Sequence, residues 1–195
     1  MNVYDFDKTI SKKDSAAEFF KHCLKKYPAI TSILPKLAQA FVLQKQNKIS
    51  RTEMKTVLYQ YLRHVPDIEV EAKLFWDQNM DLIQPWYIAQ QKKNDLIISA
   101  SPNFLIKEIC ERLEVEWMAS PLNIETFQYD GLNNWGSEKV RRFYERYPEG
   151  IIESFYSDHL SDSPLAKIAM KAYLVKGEQI QAWPIKHLVE DKHYE

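Results

Sequence analysis

The sequence predicts an α/β fold, in which a Rossmann-like parallel sheet with helices on both faces carries a small all-helical cap domain. Three observations support this prediction. Residues 2–6 form a short apolar run typical of a buried strand, residues 12–86 contain only helical patterns, and strands alternate with helices after that block. Such alternation is typical of a parallel sheet whose connections are helices. We therefore expect residues 1–11 and 87–195 to form the core and residues 12–86 to form the inserted cap.

The helical block contains several helix signals. Ser15 with Glu18 predicts a capping box at the start of "SAAEFFKHCLKKY". Ser50 with Glu53 repeats this pattern before "MKTVLYQYL", and "DIEVEAKLFWDQNM" supplies a further helix. Pro35 predicts a kink or a restart within an apolar stripe. The stripe repeats at helical spacing and consists of Ile30, Ile33, Leu34, Leu37, Ala38 and Phe41.

The core elements follow in order along the second part of the chain. Strands are predicted for "DLIISA", "EWMAS", "IIESFYS" and "AYLVKG". Helices are predicted for "SPNFLIKEICERL", "SEKVRRFYERY" and "DSPLAKIAMKA", and "IETFQYDGL" is typical of a hairpin arm. Each strand is short and mostly apolar, as expected for strands that are buried on both faces of a sheet.

Composition and cysteine use indicate a globular protein in a reducing compartment. The chain has 195 residues, of which 45% are hydrophobic and 27% charged, and this length allows one core with a smaller insertion. Cys23 and Cys110 match no zinc spacing, so we expect buried free thiols. No apolar run approaches the roughly 20 residues of a membrane span. Because the first ten residues are predicted to form a strand and a site turn, no signal peptide is expected and the location is predicted to be cytoplasmic.

Charge is distributed unevenly along the chain. The formal net charge is −1, yet residues 19–66 carry nine lysines and arginines against a single acid, Glu53. A basic region of this kind favours an anionic partner. It contains no recognised nucleic-acid-binding motif, so no nucleic-acid partner is expected. Peripheral contact of the basic cap with an anionic membrane surface is the alternative that the charge suggests.

Polar residues are found where three of the predicted strands end. The three groups are Asp5 and Asp7, then Ser99, Ala100 and Ser101, then Asp158 and Asp162. In an open α/β sheet, ligands bind at the carboxyl ends of the strands. Lys139 opens a predicted helix and adds a cation. Carboxylates for a metal, a hydroxyl with N–H groups for an oxyanion and a fixed cation together predict a phosphoryl-transfer site.

Four segments that contain these residues match, in order, the motifs of a known family. They are "DFDKT", "ISAS", "SEKVRRF" and "YSDHLSDSPL". On these segments the chain resembles the haloacid dehalogenase superfamily. The helical insertion after the first motif is similar to the cap of the phosphoserine-phosphatase-like branch. The resemblance spans nearly the whole chain, and its first and last motifs are specific in combination, whereas the serine and lysine motifs are weak alone.

The resemblance implies chemical roles for the first motif. Asp5 would be a nucleophile that attacks phosphorus and forms an aspartyl-phosphate. Asp7 would be the general acid that protonates the leaving oxygen and then the base that activates water. Either role requires a pKa above that of a free aspartate, and we expect crowding by Asp5 to raise it. Thr9 is expected to brace this loop rather than to contact the substrate.

The resemblance also implies a magnesium ion. Mg²⁺ is a hard cation that prefers oxygen ligands and keeps some of its waters. Asp5 and Asp158 would be its carboxylate ligands, together with the backbone carbonyl of Asp7. Asp162 would be either a further ligand or the partner of Lys139, and these alternatives stay open. Asp162 is also well placed to begin the helix that follows.

The predicted phosphate-binding residues are Phe6, Ser99, Ala100 and Lys139. The Ser99 hydroxyl would donate to the phosphate, together with backbone N–H groups. Ser101 precedes Pro102, an arrangement typical of an N-cap followed by proline in the first helical turn. Lys139 would neutralise the phosphate and the charge that develops in the transition state.

The identity of the substrate is the least defined part of the prediction. Asp14 lies near the start of the cap, where phosphoserine phosphatases carry an acidic residue for the substrate amine, but it could equally begin a helix beside Ser15. The apolar stripe would either pack in the cap's own core or contact an amphiphilic substrate. The sequence therefore predicts a Mg²⁺-dependent phosphatase for a small or amphiphilic phosphorylated metabolite. The alternatives are a non-catalytic module that senses phosphate or a lipid surface, and a phosphotransferase with an acceptor other than water.

Overall fold

A mostly parallel six-stranded sheet forms the centre of the molecule. The computed structural model describes residues 1–184. The strands are β1 (Asn2–Tyr4), β2 (Leu96–Pro102), β3 (Glu116–Ser120), β4 (Leu122–Asn123), β5 (Gln128–Tyr129), β6 (Ser154–Ser157), β7 (Lys171–Lys176) and β8 (Gln179–Ala182). The order across the sheet is β3-β2-β1-β6-β7-β8, with β8 antiparallel to β7, and β4 pairs with β5 in a separate hairpin. The predicted α/β fold with a parallel sheet is confirmed.

Eight α-helices lie within the described part of the chain. They are α1 (Ser15–Lys26), α2 (Leu34–Lys45), α3 (Arg51–Tyr59), α4 (Ile68–Gln78), α5 (Pro85–Gln90), α6 (Asn103–Leu113), α7 (Ser137–Arg146) and α8 (Ser163–Ile168). Short 3₁₀ turns occur at Pro28–Ile33, Gln60–His64, Met80–Leu82 and Leu160–Asp162. None of these helices is long and apolar enough to cross a membrane.

Both faces of the sheet are covered by apolar side chains. Successive side chains of β1 point to opposite faces, so neighbouring residues of this strand belong to different clusters. Val3 packs with Phe143 of α7 and Leu165 of α8 on one face. Tyr4 belongs to the apolar cluster on the other face, which includes Leu105 of α6. This sandwich leaves the carboxyl ends of β1, β2 and β6 side by side at the centre of the sheet.

The inserted helices do not have a separate hydrophobic core. Phe19 of α1 and Phe75 of α4 contact each other edge-to-face, with ring centroids 5.5 Å apart, and Phe19 contacts Phe104 of α6 at the same distance. Trp76 of α4 is fully buried, and its Nε1 donates to the Leu105 carbonyl at 2.9 Å. α1 and α4 are therefore packed onto the core through one continuous apolar cluster.

A buried carboxylate also joins α1 to α4. Glu71 is 2% exposed, and its carboxylate lies 2.6 Å from His22 Nε2, 2.7 Å from Lys26 Nζ and 2.7 Å from the Tyr27 hydroxyl. Burial opposes ionisation, but these three partners together hold the pKa of Glu71 below its usual value. The cluster fixes the angle between two helices of the insertion.

The chain leaves the core and returns to it through a short two-stranded stem. Ser11 and Ile83 form an antiparallel bridge, and Gln84 N donates to the Ile10 carbonyl at 2.8 Å. The insertion therefore begins and ends at one point beside β1.

Several local predictions are corrected by the structure. The first strand ends at Tyr4, because Phe6–Ile10 forms a tight helix-like turn in which Lys8 has a φ of +58°. Helix α1 is capped by Asp14, whose Oδ1 accepts from Ala17 N, so the predicted Ser15 capping box is wrong. The box at Ser50 is confirmed. The apolar stripe continues in α2, which begins at Leu34 and has Pro35 in its first turn. Strand β8 was not predicted.

Candidate active site

The turn after β1 brings the first two acidic residues to the centre of the sheet edge. Asp5 N donates to the Tyr156 carbonyl of β6 at 2.8 Å, which fixes the end of the strand. The left-handed conformation of Lys8 closes the turn. The Thr9 hydroxyl lies 3.4 Å from Asp5 Oδ2 and accepts from Asp158 N at 2.8 Å. Thr9 thus braces the loop, as predicted from the sequence.

Asp5 shares a buried lysine with Asp162. Lys139, near the start of α7, is 1% exposed, and its Nζ lies 2.6 Å from Asp5 Oδ1 and 2.7 Å from Asp162 Oδ2. Burial opposes the charge on Lys139, but the Asp162 and Asp5 carboxylates outweigh it and raise the lysine pKa. Burial also raises the pKa of Asp5, against the effect of the ammonium. Lys139 is thus the basic residue of this helix that contacts Asp5, whereas Arg141 and Arg142 are paired with Glu138.

Asp7 has its own set of hydrogen-bond donors. Ser15 donates to Asp7 Oδ1 through both its backbone N and its hydroxyl, each at 2.6 Å, and the Ser101 hydroxyl lies 2.5 Å from Oδ2. The pKa of Asp7 is raised, first by burial and then by the charge of Asp14. The predicted direction is thus reproduced, but the cause is not crowding by Asp5.

The two serines on Asp7 were not predicted to belong to the site. Ser101 was expected to cap a helix, and this is wrong, because α6 follows Pro102 and has no side-chain cap. Ser99 is fully buried, and its Oγ accepts from Ser101 N at 3.0 Å. The "SAS" segment indicated that one serine would face a ligand, but the local pattern could not show which partner each hydroxyl would have.

The carboxylates beyond β6 are less fully paired. Burial is the main factor that raises the pKa of Asp158. Asp162 is 3% exposed and accepts from the Ser157 hydroxyl at 2.8 Å through Oδ2, whereas its Oδ1 is buried without a protein partner. His159 is exposed in this loop. The site therefore contains acceptor oxygens that the protein itself does not satisfy.

These residues fit a hydrated magnesium ion better than a metal held only by side chains. No group of three or more His, Cys, Asp or Glu residues in residues 1–184 forms a metal cluster. Mg²⁺ does not need one, because it is usually held by one or two carboxylates, waters and substrate phosphate. The charge of Asp158 acts on Asp5, and burial raises the pKa of both carboxyl groups even though Lys139 Nζ lies 2.6 Å from Asp5.

Helix α3 contributes a lysine that sequence reasoning missed. Lys55 of α3 reaches the core, where its Nζ donates to the Ala100 carbonyl at 2.7 Å and to Asn133 Oδ1 at 2.9 Å. Burial lowers the pKa of Lys55 to about 8. Beside it, the Arg51 guanidinium lies 4.4 Å from the centre of the Trp135 ring. A lysine on a helix is usually solvated, so no local signal could have identified Lys55.

A cavity of about 640 Å³ joins the acidic residues to the cap. Asp5, Asp7 and Lys139 line its floor, and Asp14 lines its wall. Phe6 and Ser99 do not line it, whereas Ala100, Asp158 and Asp162 do. The apolar stripe is divided: Ile30 is buried in the apolar core, and Leu37 and Phe41 line the cavity.

The sequence profile of haloacid dehalogenase-like hydrolases matches residues 3–167, which include all four motifs. The chain belongs to this family. The match begins in β1 and ends in α8, so it covers four strands of the six-stranded sheet and the helices between β1 and β2, whereas β7 and β8 lie beyond it. No curated protein sequence is significantly similar to the chain.

Solved structures of low sequence identity share the fold of this hydrolase. A protein of unknown function from Bordetella pertussis Tohama I has a TM-score of 0.69 and 14% identity over 88% of this chain and 87% of that chain. A phosphoserine phosphohydrolase-like protein from Francisella tularensis has a TM-score of 0.55 and 20% identity over 88% and 86%. A probable phosphoserine phosphatase from Vibrio cholerae has a TM-score of 0.64 and 13% identity over 88% of this chain and 55% of that chain.

Proposed function

We propose that this hydrolase is a Mg²⁺-dependent phosphomonoesterase that acts through a covalent phosphate on Asp5. Its substrate would be a small or amphiphilic phosphorylated metabolite. The observation that carries the proposal is that the two carboxylates of the first motif have different partners. Asp5 is paired with Lys139, whereas Asp7 is held separately by Ser15 and Ser101. The names of the Francisella and Vibrio structures support a phosphatase.

Asp5 is the nucleophile in this proposal. Its Oδ1 is bound to Lys139 at 2.6 Å, whereas Oδ2 has only a long contact with Thr9, at 3.4 Å. One carboxylate oxygen is therefore available to attack phosphorus while the other is held. The new bond from Asp5 to phosphorus forms as the bond from phosphorus to the leaving oxygen breaks. Lys139 compensates the negative charge of the transferred group.

Asp7 moves the proton. Because burial raises its pKa, Asp7 stays protonated over a wider pH range than a free aspartate and can donate to the leaving oxygen. The resulting carboxylate then accepts a proton from the water that hydrolyses the aspartyl-phosphate. Ser15 and Ser101 keep the carboxyl group in one orientation during both steps.

The same residues suggest where a phosphate group and a metal ion would bind. The Ser99 Oγ accepts from Ser101 N, so its own proton would be available for a phosphate oxygen, although Ser99 is buried and does not line the cavity in this structure. Backbone N–H groups of Phe6 and Ala100 would complete the phosphate site. Asp5 and Asp158 carboxylates, with the Asp7 carbonyl, would hold Mg²⁺, which supplies positive charge for the phosphate. We assign Asp162 to Lys139, because its Oδ2 is already bonded there.

The boundaries of the cap and the location of the protein are also proposals. Residues 12–86 would form the cap and residues 1–11 and 87–195 the core; the part after residue 184 lies outside the described residues. The stem at Ser11 and Ile83 supports these limits. Cytoplasmic location stays a prediction, and so does contact of the basic cap with an anionic membrane, which no finding supports.

The test is phosphate release from a panel of phosphomonoesters, first with Mg²⁺ and then with excess chelator. We expect metal-dependent turnover that Asp5→Asn abolishes. The matched control is Asp81→Asn, which changes an exposed aspartate outside the cavity. Turnover that persists in Asp5→Asn would refute the proposed nucleophile.

Asp7→Asn separates the proposal from its alternatives. The phosphatase should lose turnover while it still binds inorganic phosphate. A sensing module would show no turnover in the native protein and unchanged phosphate binding in the variant. A phosphotransferase would release little phosphate until an acceptor alcohol is added.

A further inference from the structure

The cap side of the catalytic cavity is lined mainly by apolar side chains. They come from three helices: Phe20 from α1, Leu37 and Phe41 from α2, and Met54, Leu58 and Tyr59 from α3. The floor of the same cavity holds the acidic residues and Lys139. A phosphate monoester bound with its phosphorus at Asp5 would therefore direct its leaving group toward these apolar side chains.

The charged groups of the cap that line the cavity are already engaged with protein partners. Lys21 Nζ is paired with Glu18 at 2.8 Å. Asp14 accepts from Ala17 N at 2.9 Å as the cap of α1. Only Oδ1 of Asp14 is used in this cap, so the expectation that Asp14 binds a substrate amine stays a prediction.

The two remaining cations of the cap wall also have partners. Lys55 donates to the Ala100 carbonyl and to Asn133, and the Arg51 guanidinium stacks on Trp135. To bind a polar substrate group, Lys55 would have to give up these hydrogen bonds. The apolar side chains carry no such cost, because they gain free energy by leaving water.

The apolar wall is well placed for such a gain. Phe41 is 43% exposed although it lines the cavity, so a bound hydrocarbon would cover a surface that now faces water. Phe20 is fixed by an edge-to-face contact with Tyr61, with ring centroids 4.9 Å apart. The surface is thus partly preformed, as is usual for small-molecule sites.

We propose that the substrates are phosphate monoesters of apolar alcohols, whose hydrocarbon part lies between α1, α2 and α3. This inference rests on the proposed phosphatase function and selects the leaving group of that reaction. The hydrocarbon contacts Leu37, Phe41 and Met54, while the phosphate occupies the floor beside Asp5.

The test measures kcat/KM for a homologous series of straight-chain alkyl phosphates, from methyl to hexyl. Phosphoserine and glycerol phosphate are the polar comparators, and acetyl phosphate reports the chemistry alone. We expect kcat/KM to rise by about threefold to fourfold for each added methylene, the gain typical of hydrocarbon buried from water. Pentyl phosphate should exceed both polar comparators.

Phe41→Ser should flatten this rise with chain length. The matched control is Val42→Ser, which changes the adjacent residue, 53% exposed and outside the cavity. Turnover that does not depend on chain length, or that favours phosphoserine over pentyl phosphate, would overturn this inference alone. Absence of turnover with every substrate, acetyl phosphate included, would overturn the phosphatase function and this inference with it.

Discussion

The half-buried lysine of α3, Lys55, gives a quantitative prediction about stability and pH. Lys55 has a usual pKa of 10.5, and burial lowers it to about 8 in the folded protein. Between these values the unfolded chain binds a proton at this site and the folded chain does not. The free energy of unfolding therefore rises with pH across this window, and this contribution is lost as the pH falls through about 8.

The magnitude follows from the size of the pKa difference. The shift from 10.5 to about 8 corresponds to about 3 kcal/mol. Other lysines, tyrosines and cysteines titrate in the same range, so the native protein alone would not isolate the effect. The informative quantity is the difference in unfolding free energy between the native protein and Lys55→Met.

Urea denaturation of both proteins, from about pH 7 to about pH 11, measures this difference. We expect the native protein to gain about 3 kcal/mol relative to Lys55→Met across the window. Lys48→Met, which changes an exposed lysine in the same region, is the control and should run parallel to the native protein. Equal pH slopes for the native protein and Lys55→Met would refute the view that the ammonium of Lys55 is desolvated where it meets the Ala100 carbonyl and Asn133.

Three further predictions concern other contacts. Ser101→Ala removes a hydrogen-bond donor to Asp7, so the pKa of Asp7 should rise. The alkaline limb of the kcat/KM profile should then move to higher pH, with a loss of about tenfold in rate. An alkaline limb that does not move would contradict the hydrogen bond between Ser101 and Asp7. Trp76→Phe removes the indole N–H that donates to the Leu105 carbonyl, leaves a gap beside it, and should cost about 2 kcal/mol in urea denaturation. Glu71→Gln should cost about 1–3 kcal/mol at neutral pH. Because the pKa of Glu71 is lowered on folding, the native protein should lose stability on acidification more steeply than this variant, and parallel acid titrations would count against the ion cluster.

The sheet and the positions of the site residues were predictable because both depend on short-range patterns. Apolar runs between helices identify the parallel strands, and the fold then brings the strand ends together. The strand pattern therefore placed Asp5 and Asp7 at this edge, the family resemblance placed Lys139 with them, and the structure brings all three into one cavity.

The partners of those residues were not predictable. A shift of one position decides that Asp14, not Ser15, caps α1, and the Ser15 hydroxyl is then free to bind Asp7. Likewise, Ser101 does not cap α6, and its hydroxyl binds Asp7 instead. Lys55 meets Ala100 only because the tertiary fold brings α3 over the end of β2. Sequence spacing contains no information about such contacts between distant segments.

The single apolar cluster shared by α1, α4 and α6 determines which part of the insertion can be exchanged in enzyme engineering. A graft that replaced the whole insertion would remove Phe19 and Trp76 and expose the sheet face beneath them. A graft limited to residues 28–64 would keep both rings in place and would still replace most of the apolar cavity wall. The transplanted segment would have to retain the bonds of Lys55 to Ala100 and of Gln60 to the Phe127 carbonyl. The segment that would determine substrate specificity is thus shorter than the whole insertion.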